Sequence, residues 1–383
     1  MSVTAAQGFT AAGIAAGIKE NGNPDLALVV NEGPRLAAAG VFTSNRVKAA
    51  PVLWSEQVLR GGRVSAVVLN SGGANACTGP AGFQDTHATA EAVAGALGQS
   101  AGEVAVCSTG LIGVRLPMDK LLPGVAKAAA ELSAHGGEKA AIAIKTTDTV
   151  HKTAVHEGEG WTVGGMAKGA GMLAPGLATM LVVLTTDADL DSAALDEALR
   201  GATRTTFDRA DSDGCMSTND TVLLLASGAS GVTPAAESFA AAVEDVCADL
   251  ARQLIRDAEG ASKDIKIEVI NAASEDDAVE VGRSIARNNL LKCAIHGEDP
   301  NWGRVLSAIG TTSAAFEPDR LNVAINGVWV CKSGSVGEDR ELVDMRYREV
   351  HITADLAAGT ETATIWTNDL TAEYVHENSA YSS

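Results

Sequence analysis

The sequence contains few of the residues that mark nucleic-acid-binding and membrane-binding proteins. Aromatic residues occupy only 4% of the 383 positions, and 29 lysines and arginines stand against 48 acidic residues, which gives a formal net charge of −19. Such a charge repels phosphate backbones and anionic lipid surfaces, so we expect neither a nucleic-acid partner nor a membrane partner. Small-molecule substrates are the expected partners, and an anionic substrate would need a local cationic pocket.

Signatures of metal binding, disulfides and membrane insertion are also missing. The six cysteines form no CxxC pair and the seven histidines form no HExxH motif, so the spacing predicts no metal site and no disulfide framework. No apolar run approaches the roughly 20 residues of a membrane span. The N-terminal segment lacks the basic start and continuous apolar centre of a signal peptide. We therefore expect a cytoplasmic protein.

Apolar residues make up 46% of the chain, in short β-branched runs that alternate with alanine-rich stretches. This alternation predicts a mixed α/β architecture, and the length allows one large or two medium domains. The predicted strands cover residues 64–69, 104–107, 140–144, 180–184, 221–226, 267–270, 294–295, 321–325, 349–352 and 362–366. The predicted helices cover residues 118–132, 191–206, 235–258 and 276–287.

The most informative segment is KGAGMLAPGLATML at residues 168–181. Its glycines permit the backbone distortion that attack of the Thr179 hydroxyl on the Ala178 carbonyl would require. Cleavage there would create an N-terminal threonine, whose α-amine can act as the general base for its own hydroxyl. From the local sequence alone, an ordinary loop before a strand remains the simpler interpretation.

Several polar residues outside this segment are candidates for a site. Thr109 and Gly110 follow a predicted strand and can offer a hydroxyl and an N–H to one oxyanion, although a strand-ending turn is the simpler interpretation. Lys168 lies in an uncharged stretch and can orient a substrate carboxylate, or it is an ordinary surface lysine. Glu259, at the predicted end of a helix, indicates either a cationic partner or solvent exposure.

Three polar segments have simple structural interpretations. Thr146, Thr147 and Asp148 are compatible with a turn in which Asp148 binds nearby amides. The loop at residues 208–220 lacks the terminal glutamate of a calcium site and is predicted to be a solvated acidic loop. The polar tail ENSAYSS at residues 377–383 is expected to fray unless Tyr374, Val375 and Tyr381 anchor it to the body.

Taken together, these segments resemble the ornithine acetyltransferase family, the glutamate N-acetyltransferases of arginine biosynthesis. The resemblance covers essentially the whole chain. It is carried by KGAGMLAPGLATML together with CSTGLIG (107–113), KTTDT (145–149), SDGCMSTNDT (212–221) and EYVHENSAYSS (373–383). It implies a sandwich-like mixed α/β fold with an N-terminal-nucleophile type of active site. It also implies self-cleavage between Ala178 and Thr179 into an alpha chain (1–178) and a beta chain (179–383), packed together in an α2β2 heterotetramer.

The resemblance further implies which residues act. Thr179 would be the nucleophile, with Thr109 and Gly110 as oxyanion donors. The implied substrate contacts are Thr147, Lys168, Thr179, Glu259, Asn378 and Ser383, and only geometry can separate Thr147 from the adjacent Thr146. The implied reaction is ping-pong acetyl transfer from N2-acetyl-L-ornithine to L-glutamate through acetyl-Thr179, without metal or cofactor. Acetyl-CoA would be a substrate only in a member that also makes N-acetylglutamate from it.

Three other functions fit the same sequence features. A paralogous acetyltransferase of a secondary-metabolite pathway would keep the acetyl-threonine chemistry. An N-terminal-threonine amidohydrolase would pass the acyl group to water, so that an assay with and without glutamate separates it from a transferase. A non-catalytic ligand-binding protein would keep the fold and lose the cleavage, which the mass of the chain would reveal.

Overall fold

The computed structural model describes residues 2–174 and 180–380, and the chain divides into two compact units. The first unit extends to Asp208 and resumes from Cys215 to Leu254, whereas the second holds Arg209–Gly214 and continues from Ile255. The predicted cleavage site at Ala178 and Thr179, like Ser383, lies outside the described residues. The division into chains 1–178 and 179–383 therefore stays a prediction.

The first unit contains β-strands and α-helices in alternation. Its strands are β1 (Phe9–Ile14), β2 (Leu26–Asn31), β3 (Ala37–Phe42), β4 (Ala66–Asn70), β5 (Val104–Ser108), β6 (Lys152–Glu157), β7 (Thr162–Lys168), β8 (Leu181–Thr186) and β9 (Thr221–Ala226). Its helices are α1 (Ala50–Leu59), α2 (Gly79–Leu97), α3 (Met118–Ala130), α4 (Gly137–Ala143), α5 (Ser192–Thr205) and α6 (Ala236–Arg256). Over the described residues, the strands form one sheet of order β1-β2-β4-β5 and another of order β3-β9-β8-β7-β6.

A shared apolar core lies between these two sheets. Leu69 of β4 and Val183 of β8 belong to one buried cluster, which also includes residues of α4. The opposite face of the first sheet, with Val68, is covered by α2 and α3. On the second sheet, α5 packs against β3 and β9, and Leu250 of α6 approaches Gly165 of β7. The first unit thus has the sandwich-like α/β architecture that the sequence predicts.

The second unit is built on a mixed sheet. Its strands are β10 (Asp264–Ala272), β11 (Asn322–Ile325), β12 (Val328–Lys332), β13 (Ser335–Val336), β14 (Glu349–Asp355) and β15 (Glu361–Asn368). Its helices are α7 (Glu275–Ala286), α8 (Asn289–His296), α9 (Trp302–Ile309) and α10 (Ala372–Ala380). The strand order is β13-β12-β11-β14-β10-β15, with β10 parallel to β14 and antiparallel to β15. Helix α7 packs against β10 and β15 over a common core.

Two predicted strands are wrong. Residues 140–144 belong largely to helix α4, where Ala140, Ala141 and Ile144 all join the core between the sheets. An apolar run as short as this one has the same pattern in a strand and in a helix. Residues 294–295 lie in α8, where the Asn288 side chain caps the helix by accepting the Leu291 N–H.

The other predicted strands and helices are confirmed, with bounds that differ by a few residues. Helix α6 ends at Arg256, and Gly260 lies in the following turn with a positive φ of 63°. In the part of the chain that the structure describes, none of the helices combines the length and apolar character needed to cross a bilayer.

Candidate active site

The predicted oxyanion donors lie where β5 ends. Thr109 is 2% exposed, and its N–H donates to the Asn70 carbonyl at 3.0 Å. Gly110 has a φ of 131°, and a Cβ there would lie 2.7 Å from the Gly73 nitrogen. Only glycine fits this position without strain. Among residues 2–174 and 180–380, no backbone hydrogen-bond acceptor is found for the Gly110 N–H.

Lys168 contacts Thr109 directly. It is the last residue of β7, it is only 1% exposed, and its Nζ lies 3.3 Å from the Thr109 Oγ1. The surface-lysine interpretation is therefore wrong. Because an ammonium group can only donate, the Thr109 oxygen accepts this hydrogen bond and its own hydroxyl hydrogen can point elsewhere. The structure thus brings together Thr109, Gly110 and Lys168.

Asp148 holds the end of β7 in place. Its Oδ1 accepts hydrogen bonds from Lys152 Nζ at 2.6 Å and from the Gly169 N–H at 2.7 Å, and its Oδ2 accepts from the Thr146 N–H at 3.0 Å. Burial alone would raise the pKa of this carboxyl, but the charges of Lys168 and Lys152 and these hydrogen bonds bring the pKa well below its ordinary value. Asp148 is more than the turn residue that the sequence suggests, since it is an ionised partner of two buried lysines.

Lys19 is a further cation near this cluster, and sequence reasoning missed it. Its Nζ donates to the Lys145 carbonyl at 2.7 Å. Burial lowers the pKa of Lys19, and the charges of Lys168 and Lys145 lower it further, against the opposite effect of Asp25 and Asp148. A chain with a net charge of −19 therefore contains a local cationic region, as binding of an anionic substrate would require.

Thr147 lies in the same loop as Asp148. Thr147 and Thr146 are both half-buried, and the Thr146 N–H is already bonded to the Asp148 carboxylate. The assignment of Thr147 rather than Thr146 to the substrate stays a prediction.

Glu259 and Asn378 meet in the second unit. Glu259 is 7% exposed and lies in the turn after α6 rather than at the end of that helix, so the solvent-exposed interpretation is wrong. Asn378 Nδ2 donates to Glu259 Oε2 at 2.9 Å and to the Tyr374 carbonyl at 3.0 Å. The tail is helical in α10 as far as Ala380 instead of frayed. Thr371 at its start anchors it by donating to the Gly260 carbonyl at 2.7 Å.

The prediction of a solvated acidic loop at residues 208–220 is wrong. Asp211 is fully buried in the second unit, in an ion pair of 2.7 Å with Arg287. Asp220 is fully buried in the first unit, where its Oδ1 accepts the Met180 N–H at 3.0 Å. No local pattern indicates this burial, because both carboxylates stand in a run of polar residues. Over the described ranges, no group of three or more histidine, cysteine or acidic side chains is placed to hold a metal ion.

Comparison with known proteins gives a consistent result along the chain. The ArgJ family model matches residues 10–383. The arginine biosynthesis bifunctional protein ArgJ of Streptomyces avermitilis is 87% identical, and that of Thermobifida fusca is 65% identical, each covering 100% of both chains. A solved ornithine acetyltransferase from Mycobacterium tuberculosis, in complex with ornithine, is 65% identical with a TM-score of 0.45, over 47% of this chain and 96% of that one. The chain belongs to the ArgJ family.

Proposed function

We propose that this chain is a cytoplasmic acyltransferase of arginine biosynthesis that transfers the acetyl group of N2-acetyl-L-ornithine to L-glutamate. Membership of the ArgJ family supports the pathway, because the relatives are named as arginine biosynthesis proteins. The observation that carries the chemistry is the buried contact of 3.3 Å between Lys168 Nζ and Thr109 Oγ1. This contact holds the Thr109 hydroxyl beside the Gly110 N–H. A hydroxyl and an N–H of this kind are the two donors that a tetrahedral oxyanion needs.

The active enzyme forms by self-cleavage. The Thr179 hydroxyl attacks the Ala178 carbonyl, the peptide C–N bond breaks as an ester forms, and the released nitrogen takes up a proton to become the α-amine. Water then hydrolyses the ester and leaves chains 1–178 and 179–383. Strands β7 and β8 pair antiparallel, with Lys168 opposite Leu181, so one sheet would hold the two chains together after the cut. The assembled enzyme is an α2β2 heterotetramer.

Acetyl transfer then follows a ping-pong path. The Thr179 hydroxyl gives its proton to its own α-amine and attacks the acetyl carbonyl of acetylornithine. The Thr109 hydroxyl and the Gly110 N–H hold the oxyanion until the amide C–N bond breaks and ornithine leaves with a proton. The α-amine of glutamate attacks the acetyl-Thr179 ester, which releases N-acetylglutamate and restores the hydroxyl.

Charged residues provide the main contacts to the two substrates. Lys168 and the surrounding cations attract the carboxylate that both substrates share. Glu259 pairs with the side-chain ammonium of ornithine and is oriented by Asn378, while Thr147 and Ser383 complete the contacts. The reaction requires no metal and no prosthetic group.

Mass analysis and a transfer assay test the proposed function together. We expect the wild type to appear as fragments 1–178 and 179–383, and Thr179→Ala as one chain that transfers no acetyl group. Thr205→Ala, which removes an exposed threonine of α5, should cleave and transfer like the wild type. Cleavage by Thr179→Ala would contradict the nucleophile. Acetate release at an unchanged rate without glutamate would identify an amidohydrolase instead.

The relatives are named bifunctional proteins. This name favours a second acetylating activity. We infer that acetyl-CoA serves as an alternative donor to glutamate through the same acetyl-Thr179 ester. Acetyl-CoA and glutamate should then yield N-acetylglutamate with the wild type and none with Thr179→Ala. Formation of the product by both variants would point to a different site.

A further inference from the structure

Asn219 joins two segments that meet at the predicted oxyanion site. It belongs to the polar segment 212–221, lies just before β9 and is only 5% exposed. Its Nδ2 donates to the Ser108 carbonyl at 2.8 Å and to the Ala74 carbonyl at 2.6 Å. One side-chain amide therefore connects three parts of the first unit that are distant in the sequence.

The orientation of the Asn219 amide follows from its partners. Its Oδ1 accepts the Thr218 hydroxyl at 2.6 Å. Because a carbonyl oxygen can only accept a hydrogen bond, the amide nitrogen must be the atom that faces Ser108 and Ala74. The side chain thus gives one hydrogen to each carbonyl, and a side chain without an amide could not supply both.

The Ser108 carbonyl begins a chain of two peptide groups that ends at the Gly110 N–H. The first group runs from the Ser108 carbonyl, bound by Asn219, to the Thr109 N–H. In the second group, the Thr109 carbonyl accepts the Gly73 N–H at 3.0 Å. The carbonyl and the N–H of a planar trans peptide point in opposite directions, so the contact with Gly73 sets the direction of the Gly110 N–H.

The contacts of Asn219 lie on both sides of this pairing. Gly73 and Thr109 form an antiparallel bridge, and Asn219 binds the residue after the first and the residue before the second. The approach is close, since a Cβ on Gly110 would lie 2.7 Å from the Gly73 nitrogen. A shift of residues 73–74 relative to residues 108–110 would therefore turn or move the Gly110 N–H.

We propose that Asn219 is a positioning residue for the oxyanion donors, which keeps residues 73–74 and 108–110 in register so that the Gly110 N–H stays beside the Thr109 hydroxyl. The inference rests on the proposed function, in which these two groups bind the oxyanion. The oxyanion exists only after the nucleophile attacks. Misplaced donors should therefore lower kcat and leave the KM for acetylornithine unchanged.

Asn219→Leu tests this role because leucine has a similar volume and offers no hydrogen-bond donor. We expect kcat to fall by about 100-fold, the effect of displacing a catalytic group by about 1 Å, with the wild-type KM. Turnover is expressed per cleaved chain, as measured by mass analysis.

The matched control is Asn31→Leu. Asn31 is also buried, and its Nδ2 donates to the Ala226 carbonyl at 3.1 Å. The strand register pairs Leu26 with Asn70 and Asn70 with Ser108, which places Asn31 at the opposite end of the first sheet from Ser108. Asn31→Leu should lower the urea midpoint of unfolding about as much as Asn219→Leu does, and it should keep the wild-type kcat.

A milder pair of variants serves if Asn219→Leu does not fold. Asn219→Ser leaves room for water to bind the two carbonyls, and we expect kcat to fall by about 10-fold with the wild-type KM. Asn31→Ser is its control and should again keep the wild-type kcat.

Each outcome decides the inference. A wild-type kcat in the Asn219 variant, an equal fall in the Asn31 variant, a change in KM alone, or a loss of cleavage confined to the Asn219 variants would overturn the positioning role. If the wild type itself neither cleaves nor transfers, the proposed function fails, which is distinct from a failure of Asn219 alone. A cleaved Asn219 variant with a lowered kcat and the wild-type KM, beside an unaffected Asn31 variant, would establish the role.

Discussion

Asp148 and Asp220 are two buried carboxyl groups of the same unit whose pKa values move in opposite directions. Burial acts in the same sense on both, because it penalises the charged form. Around Asp148, the charges of Lys168 and Lys152 reverse that effect and keep the group ionised. Around Asp220, the opposing contributions are too weak and the pKa stays raised. Two buried carboxyls whose pKa values move in opposite directions are suited to different chemical roles.

Of the two carboxyls, Asp148 should show the larger loss of stability when it is substituted. Asp148→Asn removes the charge that faces the fully buried Lys152, and we expect the free energy of unfolding to fall by about 3–5 kcal/mol at pH 7. Asp220→Asn replaces a carboxyl whose charged form burial already disfavours, and it should cost no more than about 1 kcal/mol. Urea denaturation of both variants measures the difference. Adding Lys152→Met to Asp148→Asn should recover part of the loss, and equal costs for the two single variants would contradict the assigned charge states.

The charge of Lys168 acts to lower the pKa of both Asp148 and Asp220, although burial outweighs this effect at Asp220. Removal of Lys168 therefore affects the surroundings of both carboxyls at once. We expect Lys168→Met to lower kcat by about 100-fold, because the Thr109 hydroxyl loses the donor that orients it. The matched control is Lys266→Met, which removes a lysine of the second unit that is paired with Glu268 at 3.2 Å. Steady-state assay with acetylornithine and glutamate measures the effect. A change in KM alone would restrict Lys168 to substrate binding.

The smallest effect is the dependence of stability on pH, and its sign should differ between the two carboxyls. The folded-state pKa of Asp148 is lowered, so its stabilising contribution is complete above about pH 4 and disappears as the pH falls further. The folded-state pKa of Asp220 is raised, so its contribution instead decreases as the pH rises above about 4. Unfolding of the wild type and both asparagine variants between pH 3 and pH 8 measures these slopes. Slopes of the same sign would contradict the comparison.

Much of the fold could be predicted because its strands and amphipathic helices carry clear patterns. The run 221–226 and the helix at 191–206 are found almost as predicted, the latter with Asp191 as its N-cap. The sequence does not predict helix α4, because its apolar run at residues 140–144 is too short for its periodicity to distinguish a helix from a strand. The acidic loop was misjudged because burial of Asp211 depends on Arg287, a residue far away in the sequence.

The site shows the same division between local and distant information. Thr109 and Gly110 could be selected as oxyanion donors because a hydroxyl and a glycine adjoin after a strand. Asp148 was seen only as a turn, because its partner Gly169 is 21 positions away. Nothing in the local sequence marks Asp220 as a carboxyl that is buried against Met180.

The sequence by itself determined the alternation of strands and helices through its residue patterns, and it determined the family, the reaction type and the candidate nucleophile Thr179 through its resemblance to a known family. Only the tertiary structure decided that Lys168 contacts Thr109, that Glu259 meets Asn378, and in which direction the pKa of each buried carboxyl moves. The physical reason is that protonation and hydrogen bonding of a buried group are set by the neighbours that folding brings within a few ångströms. Those neighbours are distant along the chain, and no local pattern encodes them.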